Sequence, residues 1–226
     1  MSAGEKVFRR DKSGELRFVG DFEALYQNEL DPWAQSIADE RMGAYYTVSR
    51  SRLMAILRDN EPLASVIEIG CGLGQVCALI AKENPGTRVV GLDVSPTAIA
   101  QACKRHHDIE FYVTDARLPW PTSVSSGFDV ALVNQMIWYV LDELEDVLLR
   151  AIRHLRLGGR LVLQQAFLRD GQEYGREIVD GFQGLLDFLI ARQLDGSWIE
   201  HVDLLEDTSL PFDDGLVVLR KPKSLS

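Results

Sequence analysis

Apolar runs alternate with helical patterns through the central part of the chain. Five short runs are almost continuously apolar, as strands buried on both faces of a sheet are, and they lie at 66–69, 88–92, 109–114, 128–133 and 160–165. The helical patterns between them lie at 75–83, 96–105 and 142–155. This alternation predicts βαβ units, and therefore an α/β fold with a doubly wound, mainly parallel sheet.

The pattern changes after the fifth apolar run. A longer helical pattern at 174–193 is followed by an apolar run at 198–205, a turn-rich stretch and a last apolar run at 216–220. Because no helix separates the last two runs, they should form a terminal antiparallel pair at the edge of a seven-stranded sheet. Residues 1–60 carry helical patterns outside this sheet. We therefore expect an N-terminal helical cover or lid, 1–60, and one compact domain, 61–226.

Composition and charge limit the possible partners. The chain has 226 residues, of which 46% are hydrophobic and 26% charged, and its net charge is −10. This charge argues against nucleic acid or an anionic membrane as the main partner, because phosphate recognition needs clustered Lys and Arg. No apolar run reaches the roughly 18 residues of a membrane span, and the start of the chain lacks the apolar core of a signal peptide. We expect a cytoplasmic location.

The cysteines do not follow the spacing of a metal site. Cys71, Cys77 and Cys103 are an odd number and form no C-x-x-C motif. Neither a zinc site nor a disulfide framework has this pattern. We expect three buried, reduced thiols and no metal.

The first predicted strand runs into a glycine-rich turn, "VIEIGCGLGQ". Such a turn lets the backbone approach a nucleotide-like ligand, and the pattern G-x-G-x-x-G would indicate a dinucleotide. Here the glycines are Gly70, Gly72 and Gly74, and Gln75 stands where the dinucleotide pattern has its third glycine. The motif is therefore E-x-G-x-G-x-G, beginning at Glu68.

Acidic residues end the next two predicted strands. Asp93, in "VVGLDVSP", stands about 20 positions after Gly74, where a carboxylate can accept hydrogen bonds from both hydroxyls of a ribose. Its alternative role is to help cap the helix that begins at Pro96, although Ser95 already suits that position. Asp115, in "VTDARLPWP", ends the third strand, where turn-forming residues are common in any fold.

Together these motifs resemble the class I S-adenosylmethionine-dependent methyltransferases over residues 63–221. That family has a Rossmann-like sheet, an E-x-G-x-G-x-G loop after its first strand and a terminal antiparallel hairpin. The resemblance implies S-adenosyl-L-methionine as the cofactor, with Asp93 at the ribose, Asp115 at the adenine amino group and the Ala116 amide at a ring nitrogen. Aromatic faces near the sulfonium would add cation–π attraction. The residues expected at the cofactor are Glu68, Gly70, Cys71, Gly72, Gly74, Asp93, Val94, Asp115, Ala116, Asn134, Trp33, Tyr45 and Trp138.

The fourth predicted strand, in "FDVALVNQMIWYV", ends where the reactive methyl group should lie, since ligands of open α/β sheets bind beyond the carboxyl ends of the strands. Methyltransferases that act on DNA bases or glutamine carry [D/N]-P-P-[Y/F] here. This chain has Asn134, Gln135 and Met136 instead, which argues against those substrates. The candidate contacts to the acceptor are Glu40, Gln135 and Tyr139, although Trp138 and Tyr139 are equally suited to core packing.

The N-terminal segment is most similar to methyltransferases of the nodulation protein S type, which N-methylate an amino sugar. Phe22, Leu25 and Tyr26, followed by Asp-Pro-Trp at 31–33, match the F-x-x-L-Y and D-P-W motifs of that group. These helices either cover one sheet edge or form a lid whose aromatic side chains meet the ligand.

The histidines point to the type of acceptor. None of the four lies in a motif loop. A hydroxyl acceptor usually needs a base, whereas an amine that arrives deprotonated does not. We therefore expect methyl transfer to a small molecule, at an amine nitrogen of an amino sugar or a natural-product precursor, by a monomer or homodimer. The alternatives are O-methylation of a hydroxyl or carboxylate, and a non-catalytic cofactor-binding subunit.

Overall fold

A seven-stranded sheet forms the centre of the computed structural model, which describes residues 6–35, 40–58 and 63–223. The elements in chain order are β1 (Phe8–Arg10), β2 (Leu16–Phe18), α1 (Phe22–Asn28), α2 (Glu40–Arg58), β3 (Ser65–Ile69), α3 (Gln75–Glu83), β4 (Arg88–Asp93), α4 (Pro96–Arg105), β5 (Glu110–Val113), β6 (Phe128–Asn134), α5 (Leu144–His154), β7 (Leu155–Phe167), α6 (Gly181–Arg192), β8 (Trp198–Leu205) and β9 (Asp213–Arg220). No helix in these described ranges is long and apolar enough to cross a membrane.

The sheet has the order β5-β4-β3-β6-β7-β9-β8. Strands β3 to β7 pair in parallel, and β9 is antiparallel to both β7 and β8. The predicted α/β architecture, with its mainly parallel sheet and terminal antiparallel pair, is confirmed. The strand β9 returns between β7 and β8, so β8 forms the edge.

Both faces of the sheet are buried, as the continuous apolar runs predict. Successive side chains of a strand point to opposite faces. Accordingly, Val66 and Val89 belong to one core cluster, whereas Ile67 and Val90 belong to the other. Helices therefore cover both faces, and the ligand-binding edge is left at the carboxyl ends of the parallel strands.

Helices α3 and α4 have the predicted bounds. Helix α4 begins as its sequence indicates, with the Ser95 hydroxyl accepting a hydrogen bond from the Ala98 amide at 3.1 Å and Pro96 in the first turn. Helix α5 is shorter than predicted, because a 3₁₀ turn over Leu141–Glu143 precedes it and Leu155 already belongs to β7.

The long helix predicted at 174–193 is wrong in its first part. Helix α6 begins only at Gly181. Gly175 and Gly181 both have φ of +69°, in the left-handed region, and a right-handed helix cannot run through such residues. The apolar periodicity of residues 174–180 thus comes from a turn that packs against the core.

The predicted helical cover is partly a β-hairpin. Strands β1 and β2 pair in antiparallel register, and the turn between them includes Gly14 at φ +88° and an Asp11 carboxylate that accepts from the Ser13 amide at 2.8 Å. Three-residue strands are too short to produce a readable alternation in sequence. The hairpin and α1 together cover one side of the ligand-binding edge.

Helix α1 is hydrogen-bonded to the loop after β4. The Glu23 carboxylate accepts from the Ser95 hydroxyl at 2.6 Å, the Thr97 hydroxyl at 2.6 Å and the Thr97 amide at 3.1 Å. These hydrogen bonds, from Ser95 and then Thr97, lower the pKa of Glu23 to about 2. An ionised Glu23 therefore links the N-terminal segment to the N-terminus of α4 across the physiological pH range.

Candidate active site

A cavity of about 710 Å³ opens at the carboxyl ends of β3 to β7. Its size falls in the usual range for small-molecule sites. The hairpin, α1 and α2 contribute the opposite wall. The lining contains most of the residues predicted from the sequence: Trp33, Tyr45, Glu68, Gly70, Cys71, Gly72, Asp93, Val94, Asp115, Ala116, Asn134, Gln135, Trp138 and Tyr139.

Two predicted residues are not among the described lining residues, for different reasons. The side chain of Glu40 lies outside the described residues, so the structure says nothing of its predicted contact to the acceptor. Gly74 caps α3 behind the cavity, where an added Cβ would lie 2.6 Å from the ring of Phe111. A φ of +74° and this packing, rather than close approach to a ligand, require glycine at position 74.

The glycine-rich turn after β3, residues 70–74, is called the glycine loop here, and it is tightly packed on its cavity side. A Cβ on Gly70 would lie 2.7 Å from the sulfur of Met136, and one on Gly72 would lie 2.6 Å from the hydroxyl of Tyr26. Both glycines also have positive φ, +77° and +52° respectively. Tyr26 of α1 therefore lies directly over the loop, a contact that the sequence motifs did not indicate.

Replacing Gly72 with alanine is expected to abolish most S-adenosylhomocysteine binding, because the new methyl group displaces Tyr26 from the loop. Gly86→Ala is the matched control, since Gly86 also has positive φ, +90°, but has nothing within 4 Å of its added Cβ. It should cost only backbone strain, on the order of 1 kcal/mol. Calorimetric titration and melting curves of both variants measure the two effects. Equal cofactor affinity in the two variants would contradict this account of Gly72.

Asp93 is tied to the glycine loop as well as facing the cavity. Its carboxylate accepts from the Gly72 amide at 2.8 Å and from the Ser95 amide at 2.9 Å, and the side chain is only 8% exposed. Burial raises the pKa of Asp93, and the backbone hydrogen bonds oppose that shift. The residue thus sets the distance between the glycine loop and the loop after β4, where the ribose is expected.

Glu68 is the most deeply buried carboxyl group of the wall, at 2% exposure. The Cys77 thiol donates to it at 2.9 Å, and burial raises the pKa of Glu68 to about 7. Burial also raises the pKa of Cys71, to about 11, so this thiol stays protonated. Cys71 and Cys77 are buried as predicted, whereas Cys103 is exposed on α4 and contradicts the expectation of three buried thiols.

Asp115 forms an ion pair within its own loop. Its carboxylate lies 2.7 Å from a guanidinium nitrogen of Arg117, and this hydrogen bond lowers the pKa of Asp115. The neighbouring Ala116 carbonyl accepts from Arg150 at 3.0 Å. An ionised acceptor group is therefore fixed at the end of β5, the position implied for the adenine amino group.

Gln135, just after β6, is held by three neighbours. Its side-chain nitrogen donates to the Tyr45 hydroxyl at 2.8 Å, and its oxygen accepts from the Ala166 backbone amide at 2.8 Å and from the Gln165 side chain at 3.4 Å. The Tyr45 hydroxyl in turn donates to Asp214 at 2.9 Å. Burial, with the charge of Asp214, raises the pKa of Tyr45 well above its usual value, so Tyr45 remains a neutral phenol.

Asp214 itself is fully buried on β9. It also accepts from the Ser49 hydroxyl at 3.0 Å and from the side-chain amide of Gln164 at 2.8 Å. It forms an ion pair with Arg52 as well. Five buried or half-buried groups from α2, β7 and β9 thus converge behind Gln135. No local sequence motif indicated Asp214.

Six aromatic residues form a cluster on the N-terminal side of the cavity. Within it, Trp33 and Tyr139 have ring centroids 5.7 Å apart, and the Trp33 indole donates to the Tyr26 hydroxyl at 3.0 Å. Trp138 lies on the other side, where its indole donates to the Ala166 carbonyl at 3.2 Å. Trp138 and Tyr139 therefore both line the cavity and pack against the core. The aromatic cluster consists of Phe8, Phe18, Phe22, Trp33, Tyr139 and Tyr174.

Comparison with known proteins shows what this site is similar to. Residues 67–161 match the model of a methyltransferase domain. This segment holds the glycine loop and the cavity residues Asp93, Asp115 and Asn134, which lie at or just after the ends of β4, β5 and β6. This match covers less than half of the chain, and it agrees with the class I methyltransferase fold of the sheet. The predicted resemblance of the chain to that class is confirmed.

The sequence relatives match only part of this chain and less than half of their own length. The trans-aconitate 2-methyltransferase of Azoarcus sp. (strain BH72) is 32% identical over 127 residues, which are 56% of this chain and 46% of that protein. The chain thus spans less than half the length of the curated relatives it matches.

Two solved structures share the fold. The N-methyltransferase NodS from Bradyrhizobium japonicum WM9, in complex with S-adenosyl-L-homocysteine, has a TM-score of 0.68 at 20% identity and covers 88% of this chain and 98% of its own. The 1,6-didemethyltoxoflavin-N1-methyltransferase of Burkholderia thailandensis, bound to 1,6-didemethyltoxoflavin and S-adenosylhomocysteine, has a TM-score of 0.64 at 19% identity and covers 89% of this chain and 86% of its own. At these identities the likeness is one of fold.

The cofactor of such a domain is S-adenosylmethionine, and the described lining of the cavity fits it. Asn134 Oδ1 and Thr114 Oγ1 are buried on the wall without a hydrogen-bond partner among the described residues. An unsatisfied buried polar atom costs about 1–3 kcal/mol, so a ligand rich in polar groups would be stabilised here. The carboxylates of Glu68 and Asp93 suit the positive charge that the cofactor carries.

Proposed function

We propose that this methyltransferase transfers the methyl group of S-adenosylmethionine to an amine nitrogen of a small molecule. The observation that carries the proposal is the charge of the cavity wall. Among the described lining residues, the only basic side chain is Arg117, and it is paired with Asp115 at 2.7 Å. The acidic residues of the same described lining are Asp31, Glu68, Asp93, Asp115 and Glu173, of which Glu173 is paired with Arg10 outside the cavity lining.

An excess of carboxylates favours some acceptors over others. A di- or tricarboxylate would meet the buried carboxylate of Asp93 and no unpaired basic side chain among the described lining residues, and like charges at short distance are destabilising. A neutral or cationic amine meets no such penalty. The sequence relatives named trans-aconitate 2-methyltransferase support the other candidate, O-methylation of a carboxylate.

Apart from Glu68, whose carboxyl group has a pKa of about 7 and accepts from the Cys77 thiol beneath the glycine loop, the described wall offers no good general base for a hydroxyl acceptor. No histidine is among its residues, and the ring of His154 instead packs on Trp120 with centroids 4.2 Å apart. Burial raises the pKa values of Tyr45 and Tyr139, so neither forms a phenolate near neutral pH. An amine with a free lone pair needs no base, which supports N-methylation.

The residues of the chain would act mainly by positioning. S-adenosylmethionine, when bound, supplies a methyl carbon already activated by its sulfonium. The glycine loop, Asp93 and Asp115 would hold the cofactor, and Gln135 would contact the acceptor from a fixed orientation. The aromatic cluster would exclude water. Alignment of this kind can supply a large part of a rate enhancement.

The position of the transferred methyl group separates the two candidate reactions. We expect the enzyme, supplied with methyl-labelled S-adenosylmethionine and a mixed metabolite extract, to yield labelled products whose methyl group survives mild alkali. Methyl esters of carboxylates are hydrolysed under those conditions, whereas N-methyl groups are not. Mass spectrometry before and after alkali measures this. Label that is released entirely as methanol would favour carboxylate O-methylation instead.

We also infer that the N-terminal segment closes over the bound cofactor as a lid. Trp33 and Tyr26 contact the wall, and Glu23 fixes α1 to the loop after β4. Hydrogen exchange of amides between Tyr26 and Tyr46 should therefore slow when S-adenosylhomocysteine is added. Equal protection with and without the ligand would show that the segment is a static cover.

A further inference from the structure

We propose that the acceptor is a flat, uncharged heteroaromatic amine that binds between the aromatic cluster and the amide of Gln135. The inference rests on the proposed function, because it describes the acceptor side of the same cavity. It replaces the amino sugar expected from the N-terminal motifs with a different chemical class.

The first argument is the density of aromatic rings. Ring centroids within the aromatic cluster lie 5.1 Å apart for Phe8 and Tyr174, 5.6 Å for Phe8 and Phe18, and 5.2 Å for Phe22 and Tyr139. Rings at these distances offer apolar faces and edges, on which a planar ring stacks with about 1–3 kcal/mol per ring. A sugar would instead bring hydroxyl groups that find no partner on hydrocarbon, and each unpartnered group is costly.

The second argument is the second N–H group of the Gln135 side chain, which has no acceptor among the described residues. Its oxygen is occupied by the Ala166 amide, and one of its two N–H groups is occupied by Tyr45. Because Tyr45 donates its own proton to Asp214, it can only accept from Gln135, so the orientation of the carboxamide is fixed. The second N–H is a donor, and it therefore selects a ligand atom with a lone pair, such as a ring nitrogen or a carbonyl oxygen.

A second amide lies beside the aromatic cluster. Gln172 is 9% exposed, lines the cavity and stands two residues before Tyr174. Its side-chain nitrogen has no hydrogen-bond partner among the described residues. A flat ring with lone pairs on its edge would satisfy this donor while its face contacts the cluster.

The third argument is charge. The carboxylate of Glu173, next to Gln172, is paired with Arg10 at 2.5 Å, so neither group is free to bind a charged ligand. The remaining described donors on this side are uncharged: the side-chain amides of Gln135 and Gln172 and the hydroxyls of Tyr139 and Tyr174. Uncharged amides and aromatic rings together select a neutral, planar molecule.

The experiment is a calorimetric titration of the full chain already saturated with S-adenosylhomocysteine, which blocks the cofactor subsite. Three flat neutral amines serve as probes: pterin, 2-aminopurine and isocytosine. Glucosamine is the amino-sugar probe and trans-aconitate the carboxylate probe. We expect at least one flat amine to bind at least tenfold more tightly than glucosamine, and trans-aconitate not to bind.

Two variants test the residues. Tyr174→Leu removes one ring of the cluster, and Gln135→Asn shortens the amide while keeping a residue type that tolerates the observed φ of +56°. Each variant should lower the affinity for the flat amine at least tenfold and leave the affinity for S-adenosylhomocysteine within twofold of that of the unmodified chain. Trp198→Ala is the control, because Trp198 is an exposed aromatic residue on β8 outside the cavity, and it should change neither affinity.

The outcomes separate the two proposals. Failure of S-adenosylhomocysteine to bind the unmodified chain would remove the proposed function and this inference with it. If S-adenosylhomocysteine binds but no flat amine does, or glucosamine binds more tightly, the inference is overturned while the proposed function stands. Unchanged flat-probe affinity in both variants would also overturn it.

Discussion

Asp93→Ala is expected to weaken S-adenosylhomocysteine binding at least tenfold and to lower the melting temperature as well. A hydrogen bond to a charged group contributes roughly 1.5–3 kcal/mol, so loss of the expected ribose contacts alone accounts for the affinity change. The melting temperature falls because the Gly72 and Ser95 amides lose their common acceptor. Calorimetric titration and thermal unfolding measure the two effects on one protein sample.

Asp129→Ala is the matched control for this experiment. Asp129 is also 8% exposed, and its carboxylate also accepts from two backbone amides, those of Ala64 at 2.9 Å and Ser65 at 2.8 Å. It lies at the opposite, amino-terminal end of the sheet strands, away from the cavity. This variant should lose stability and keep its cofactor affinity. If Asp93→Ala behaves in the same way, Asp93 is structural only.

Glu68→Gln is expected to remove a pH dependence from the stability of the protein. The pKa of Glu68 is about 7 in the folded state, against 4.5 for a free side chain. Between these values the folded state holds a proton that the unfolded state has released. The contribution of Glu68 to stability is therefore fully present below pH 4.5 and is lost as the pH rises through 7. The total loss is roughly 3 kcal/mol, since one pKa unit corresponds to about 1.4 kcal/mol.

Urea unfolding of both proteins at several values between pH 5 and pH 8 measures this difference. The free energy of unfolding of the unmodified protein should fall relative to that of Glu68→Gln as the pH increases. Glu110→Gln is a flat control, because the Arg88 guanidinium lowers the pKa of Glu110 from 4.5 and its contribution to stability changes only below this pH range. A constant difference between the unmodified protein and Glu68→Gln across this range would show that Glu68 ionises as a solvated carboxyl does.

The central sheet was predictable because its signal is local. Strands β3 to β7 are continuous apolar runs, and the helix caps at Ser95 and Pro96 stand beside the residues they stabilise. The same reason makes half of the site predictable, since Glu68, Gly72 and Asp93 lie at or just after the carboxyl ends of strands. The carboxyl ends of parallel strands meet at one edge, so residues in those positions come together whatever the loops do.

The rest of the site depends on contacts between distant parts of the chain. Tyr45 and Asp214 are separated by 169 residues, and Asp214 stands in a turn-rich stretch that offers no motif. Tyr26 contacts Gly72 only because Glu23 fixes α1 to the loop after β4. Tertiary contacts of this kind leave no periodicity in the sequence, and they determine the acceptor side more than the cofactor side.

The position of β9 has a consequence for the order in which the protein is made. The ribosome translates a chain from its N-terminus, and a domain generally folds as a unit. Every strand-end residue at the cofactor is translated before residue 135, whereas Asp214 belongs to Asp213–Arg220, the final strand, which must insert between β7 and β8. A nascent chain therefore acquires the hydrogen bonds that orient Tyr45 and Gln135 only after Asp214 has been translated, later than every one of those strand-end residues.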